Sequence, residues 1–256
     1  MEYKNVVVEK QGNVGILTLN RPPTNSVNLA TLEDIDKALD ELEQDNDIRV
    51  VIVTGAGEKG FSAGFDVSDA ANADKIGPKG QEVWTRVDRF PKPVIAAING
   101  YALGGGCELA MACHFRIMID APKAKIGLPE LNLGIIPGWG GTQRMPRIIG
   151  KSKALDMILF SKRITAPEAL EIGLIDKVSA QGEIMKDALE LANRLAKRPP
   201  IAVSCALKAV ATGLEKGLDE GSKVELEGVR TVSKSKDAAE GITAFIEKRE
   251  PIFKGE

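Results

Sequence analysis

The residues of this chain with types and spacing suited to chemistry begin at Gly104-Gly105-Gly106, followed at once by Cys107-Glu108. Consecutive glycines let the backbone approach a ligand and adopt angles that other residues resist. A strand, a glycine turn and then a helix leave unpaired N–H groups at the positive helix end. Such an end attracts an anion, or an oxygen that becomes one during reaction. Glu108 lies three residues beyond Gly105, about one helical turn on, so a carboxyl group stands beside those amides. A second glutamate, Glu130, follows Pro129, which disfavours a continuing helix or ladder and lets a turn place the side chain. Gly138-Trp139-Gly140-Gly141 adds another glycine-rich turn around one bulky aromatic. A plainer reading stands beside this one. Glycine triplets also serve tight packing alone, a first-turn glutamate complements the helix dipole, and a lone glutamate such as Glu130 is usually a surface charge.

Other chemistries fit less well. Gly100-x-x-x-Gly104 lacks dinucleotide-site spacing, and Gly150-Lys151-Ser152 would need a glycine at 145, where Met145 stands. Ser62 has no base partner nearby in sequence. His114 is the one histidine, so a histidine-based metal cluster is not expected. Cys107, Cys113 and Cys205 are odd in number and unpaired in spacing, which argues against a disulfide framework; Cys107 and Cys113 read as buried small residues.

The elements that must position these groups read as follows. Pro93–Ile98 is a short apolar run for a buried strand ahead of the glycine turn, and Leu109–Cys113 continues a compact helix after it. Val6–Val8 and Val14–Leu19 read as strands. Asn28 caps a helix to about Glu43, and Val50–Val53 suits a sheet covered on both faces. Thr54–Gly60 is a loop, and Phe61–Asp66 a small-residue turn that repeats the possibility of exposed amides. The segment 67–79 is polar and weakly patterned, hence irregular, with a helix over 80–90. Phe115–Ile119 is a strand. From 142 onward the pattern is helical, over 142–149, 151–160, 167–172, 183–197, 201–215, 219–234 and 237–247. A division near 195 is expected, with a core over 1–195 and a helical region over 196–256.

At 256 residues the chain suffices for one or two domains. Its net charge of −2 favours neither nucleic acid nor anionic membrane. No 18-residue apolar run occurs, and Met1–Asn5 lacks a signal-peptide pattern, so a cytoplasmic protein without membrane or nucleic-acid partners is expected.

Together these segments resemble the enoyl-CoA hydratase/isomerase (crotonase) family along essentially the whole chain. The carrying motifs are Phe61–Asp66, Asn99–Ala110, Gly127–Glu130, Gly134–Arg144 and Ala244–Arg249, in order and spacing. The resemblance implies an α/β fold, a crotonase-like spiral of ββα units, with a helical C-terminal trimerisation region, assembled as a homo-trimer or homo-hexamer. It implies an acyl-CoA thioester substrate, its carbonyl oxygen held by the amides of Phe65 and Gly105. Hydratases resemble this chain in carrying both glutamates: Glu108 would position and activate water, Glu130 would supply the proton to Cα, and the Gly138 backbone would help orient the water. Lys59, Ala63, Asp66 and Val67 match positions that contact CoA, and Phe245 and Lys248 match positions that reach a neighbouring subunit's CoA. No cofactor beyond the substrate's own CoA is implied, and no metal.

Three positions depart from the pattern. Ser68 stands where several hydratases carry a CoA-binding lysine. Phe65 is larger than the common alanine, and Trp139 occupies a variable position near the pocket; large side chains at both would favour short acyl chains. The reaction expected is reversible addition of water to trans-2-enoyl-CoA in fatty-acid or related acyl-CoA degradation. The alternatives are Δ3-Δ2 enoyl-CoA isomerisation or hydration of an unusual acyl-CoA, and, in a different class, an RNA-binding relative, for which no basic stripe is visible.

Overall fold

The structure is a computed structural model describing residues 3–57 and 59–256. Met1 and Glu2 of the N-terminal stretch, and Glu58 of the loop expected over 54–60, lie outside the described residues.

Strands Val6–Gln11 (β1) and Val14–Leu19 (β2) form an antiparallel hairpin. Asn28 accepts a hydrogen bond from the Thr31 N–H at 2.9 Å and opens Leu29–Gln44 (α1), whose Leu32, Ile35, Leu39 and Leu42 are fully buried. Then come Val50–Gly55 (β3), Gly60–Ser62 (β4), a 3₁₀ turn over Val67–Asn72, and Ala73–Asp88 (α2). Val94–Ile98 (β5), Tyr101–Leu103 (β6), Gly105–Ala112 (α3), Phe115–Ile119 (β7) and Ile126–Gly127 (β8) follow. A 3₁₀ turn over Glu130–Leu133 leads to Gly141–Ile149 (α4) and Lys151–Leu159 (α5). Arg163–Ile164 (β9), Ala166–Glu171 (α6), Lys177–Ser179 (β10) and Ile184–Ala196 (α7) complete the core. Pro200–Lys216 (α8), Leu218–Val232 (α9) and Lys236–Glu247 (α10) end the chain.

Six strands form one sheet in the order β1-β2-β3-β5-β7-β10, parallel from β2 onward. Its strands read as unbroken apolar runs because both faces are covered. Val50, Ile52, Ile95 and Ala97 pack with α7, while Val51, Val53, Val94 and Ala96 join the layer that holds residues of α1, α2 and α3. A second, four-stranded sheet runs β4-β6-β8-β9. The sequence reading contains no such sheet: its strands span two or three residues, too few for any periodicity to declare them.

The expectation of an irregular 67–79 and a helix starting at 80 is corrected. The helix starts at Ala73, because Ile76, Gly80, Val83, Trp84 and Val87 form one buried stripe that supports a segment of weak intrinsic preference. Gly80 interrupts the apolar pattern and hid the stripe.

After α7 the chain breaks at Pro199–Pro200. Helices α8 and α9 pack on each other, and α8 has no fully buried residue. The tail returns to the core through Arg49, which donates to the carbonyls of Ala196 (3.1 Å) and Phe253 (2.9 Å). The boundary expected at 195 falls in the last turn of α7.

Candidate active site

The site is built where the loop after β4 meets the corner between β6 and α3. Gly64 sits at φ +80°, and a Cβ there would lie 2.5 Å from the Gly105 nitrogen and 2.6 Å from the Leu103 carbonyl oxygen. Two backbone segments therefore touch at a point only glycine permits. Val27 pairs with the loop through its N–H to the Gly64 carbonyl (2.7 Å) and its own carbonyl, which accepts from the Asp66 N–H (2.9 Å). In a parallel bridge this leaves the Phe65 N–H on the opposite side. Glu108 N–H donates to the Gly104 carbonyl at 3.0 Å, closing the first turn of α3 beyond Gly105. Among the described residues, neither the Phe65 N–H nor the Gly105 N–H donates to an acceptor within the chain. The Gly105 carbonyl accepts from Trp84 Nε1 at 3.0 Å, so a buried indole on α2 fixes this peptide from behind.

Glu108, 2% exposed, accepts the N–H groups of Trp139 (2.8 Å) and Gly141 (2.7 Å) on one oxygen. Burial raises its pKa, while those two amides and the Arg144 charge oppose the rise. Glu130 opens the 3₁₀ turn after Pro129, and its Oε2 is buried without a hydrogen-bond partner. Burial first, and the neighbouring Glu108 charge second, push its pKa up to about 7. Both carboxyls are thus shifted upward, but the two amides on Glu108 favour its ionised form, whereas Glu130, with one oxygen unpartnered and a carboxyl neighbour, is the one pushed up to about 7.

Phe65, Gly105, Glu108, Glu130, Gly138 and Trp139 line one cavity of about 250 Å³. Glu108, Glu130, Phe65, Gly105 and Gly138, all singled out in the sequence, are therefore brought together. The Gly138 N–H also has no acceptor in the chain among the described residues, and the space above its Cα is open. A larger apolar groove of about 760 Å³ lies between α8 and α9, away from these carboxyls.

The expected CoA contacts lie outside the cavity lining. Lys59 is exposed, and Val67, at the start of the 3₁₀ turn Val67–Asn72, is 62% exposed. The Ala63 N–H is bonded to the Thr24 carbonyl at 3.0 Å. The Asp66 carboxylate pairs with Arg21 at 2.6 Å and accepts from the Ser68 N–H and hydroxyl, so Ser68 serves the helix cap here. Phe245 is 85% exposed on α10, and Lys248 ends that helix at φ +56°. Ser62 donates to the Asn25 carbonyl (2.7 Å) and accepts from the Gly64 N–H (3.0 Å); its hydroxyl shapes the loop. His114 Nδ1 accepts from the Val94 N–H at 2.9 Å and ties α3 to β5. Cys107 and Cys113 are buried thiols, and Cys205 is half-buried. Among the described residues no group of three or more His, Cys, Asp or Glu could hold a metal, and no helix is long and apolar enough to cross a membrane. Trp84 was missed by sequence reasoning; its place on the interrupted α2 stripe was the available signal.

With this geometry in view, comparison with known proteins gives the family. The enoyl-CoA hydratase/isomerase family model matches residues 9–256, and the chain belongs to that family. It is 42% identical over 255 residues to the short-chain-enoyl-CoA hydratase of Clostridium acetobutylicum, covering 97% of each chain. It is 39% identical over 259 residues to the crotonyl-CoA hydratase of Syntrophomonas wolfei, covering 99% of each. Among solved structures, the enoyl-CoA hydratase from Bacillus anthracis superposes with a TM-score of 0.94 at 41% identity, over 99% of this chain and 100% of that one. The fold is accordingly crotonase-like, a mixed α/β core followed by C-terminal helices.

Proposed function

We propose that this chain is an enoyl-CoA hydratase, adding water reversibly across the double bond of a trans-2-enoyl-CoA to give the 3-hydroxyacyl-CoA. The observation that carries the reading is the pairing of two buried glutamates, one accepting two main-chain amides and one with an unpartnered oxygen, in one cavity beside two unpaired amides. The thioester oxygen accepts from the Phe65 and Gly105 N–H groups, which hold the negative charge that develops there as water adds to C3; one such donor is worth about 3–4 kcal/mol. Ionised Glu108, held still by Trp139 and Gly141, takes a proton from the attacking water. Gly138 N–H helps to orient that water. Protonated Glu130 delivers its proton to Cα. One carboxyl gains a proton and the other loses one, so the pair keeps the same total charge and serves both directions.

Isomerisation between Δ3 and Δ2 needs only one proton-shuttling carboxyl, and the second buried glutamate favours hydration. The reaction calls for no metal or further cofactor. Lys59, Ala63, Asp66 and Val67 would meet the CoA moiety. The exposed Phe245 and Lys248 would meet the CoA of a neighbouring subunit in a homo-trimer or homo-hexamer. A cytoplasmic role in fatty-acid or related acyl-CoA degradation fits this chemistry.

The test follows loss of the enoyl thioester's ultraviolet absorbance, with the product identified by mass. Glu108→Gln and Glu130→Gln should each lower kcat by about 10²–10⁴-fold with an unchanged circular dichroism spectrum. Turnover near the parent's in either folded variant would remove that residue from the mechanism.

A further inference from the structure

We propose that the Trp139 indole is the wall that limits acyl-chain length, so that the pocket takes short, straight enoyl thioesters; this rests on the hydratase reading above. The acyl chain must leave a carbonyl seated at Gly105 and enter the apolar part of the cavity. Trp139 stands directly against that seat. A Cβ on Gly105 would lie 2.3 Å from the indole Cζ3 and 2.4 Å from Cε3. On the far side, a Cβ on Gly80 of α2 would lie 2.4 Å from Cε2 and from Nε1. The ring therefore fills a slot between α2 and the start of α3 that exists because both facing residues are glycine.

Two aromatic neighbours close the slot. The Trp84 ring meets Trp139 edge to face at 5.6 Å and 86°, and the Phe65 ring does so at 6.3 Å and 89°. The indole is 5% exposed and bounded by four partners, so no free space receives it if a ligand pushes. The cavity left beside it, about 250 Å³, falls below the roughly 300–1,000 Å³ usual for ligand pockets. In an accommodating pocket each added methylene would raise kcat/KM about fourfold. Here the added methylenes must stay in water near the exposed Ile136 or displace the ring, and the gain is lost.

The experiment measures kcat/KM on crotonyl-, hexenoyl- and decenoyl-CoA for the parent, Trp139→Ala and Trp139→Phe, together with calorimetric Kd values for saturated butyryl- and decanoyl-CoA. Both substitutions keep the main-chain N–H that holds Glu108. We expect the parent to fall by about 10-fold or more from the four-carbon to the ten-carbon substrate, and Trp139→Ala to raise the ten-to-four-carbon ratio by at least about 10-fold, with Trp139→Phe between. If Trp139→Ala does not fold, Trp139→Phe and the parent profile carry the decision. A flat parent profile, or an unchanged ratio in the folded variants, overturns the proposal. If no enoyl-CoA is hydrated, the hydratase reading fails by itself, and the saturated thioesters still decide: decanoyl-CoA binding the parent more tightly than butyryl-CoA, with no response to position 139, would overturn the wall as well.

Discussion

On the proposed mechanism, the unpartnered Glu130 oxygen and the Glu108 oxygen that accepts two amides divide the roles of acid and base between two chemically identical side chains. The working state holds one proton between them, so kcat/KM should trace a bell against pH. Its alkaline limb should fall near pH 7, where Glu130 ionises, and its acid limb should mark protonation of Glu108. Hydration consumes no net proton, so kcat/KM for dehydration should trace the same bell, and a profile with no alkaline limb near pH 7 would contradict a protonated Glu130. Glu130 also bears on stability. Its folded pKa is raised from 4.5 to about 7, so the folded state binds the proton more tightly than the unfolded chain. That stabilisation is full below pH 4.5 and is lost as pH rises through about 7. Glu130→Gln, which cannot ionise, should therefore gain stability relative to the parent between pH 5 and 8, by on the order of 3 kcal/mol at most. Urea melts at the two pH values measure this, and a pH-independent difference would argue against a buried, protonated Glu130. The identity and spacing of both glutamates were legible in the chain. Their environments were not, because the amides on Glu108 come from Trp139 and Gly141, and Glu130 is raised by burial and by Glu108, contacts that only the folded chain brings together.

The elements around the site divide into those whose pattern spans a full turn or strand and those that exist only by contact. The long helices, apart from the first half of α2, and the buried strands β2, β3, β5 and β7 were readable from periodicity and apolar runs. The strands β4, β6 and β8 were not, yet they bring Gly64 against Gly105. That contact makes Gly64→Ala informative. The new methyl would meet the Gly105 nitrogen at 2.5 Å and would strain a φ of +80°, driving the two amides apart. We expect kcat to fall by about 10²-fold or more with a smaller change in KM, as for loss of an oxyanion donor. Steady-state kinetics on crotonyl-CoA check it, and an unaffected kcat would mean that the amides do not act together.

For the whole molecule, the C-terminal hairpin is the unfinished part. Helices α8 and α9 approach closely because Gly213 faces Gly221, where a Cβ would meet the Gly213 Cα at 2.7 Å. Their outer surface leaves Val210, Leu214, Leu218 and Val229 between 58% and 82% exposed. A continuous apolar patch of this kind is what an assembly would cover. Leu214→Asp with Leu218→Asp should convert the expected trimer or hexamer to a smaller species in sedimentation, and an unchanged mass would place the contact elsewhere. The helical character of this region was legible from its spacing. Its failure to bury a face was not, because a stripe for the chain's own core and a stripe for another copy look the same in one sequence.

At position 139 the main chain and the side chain answer to different tasks. The N–H donates to Glu108, and every amino acid except proline carries one; the ring fills the slot between Gly80 and Gly105, which a smaller side chain would leave open. A single substitution here can therefore change the shape of the pocket while leaving the amide on Glu108 in place, which makes the two properties separable in one variant.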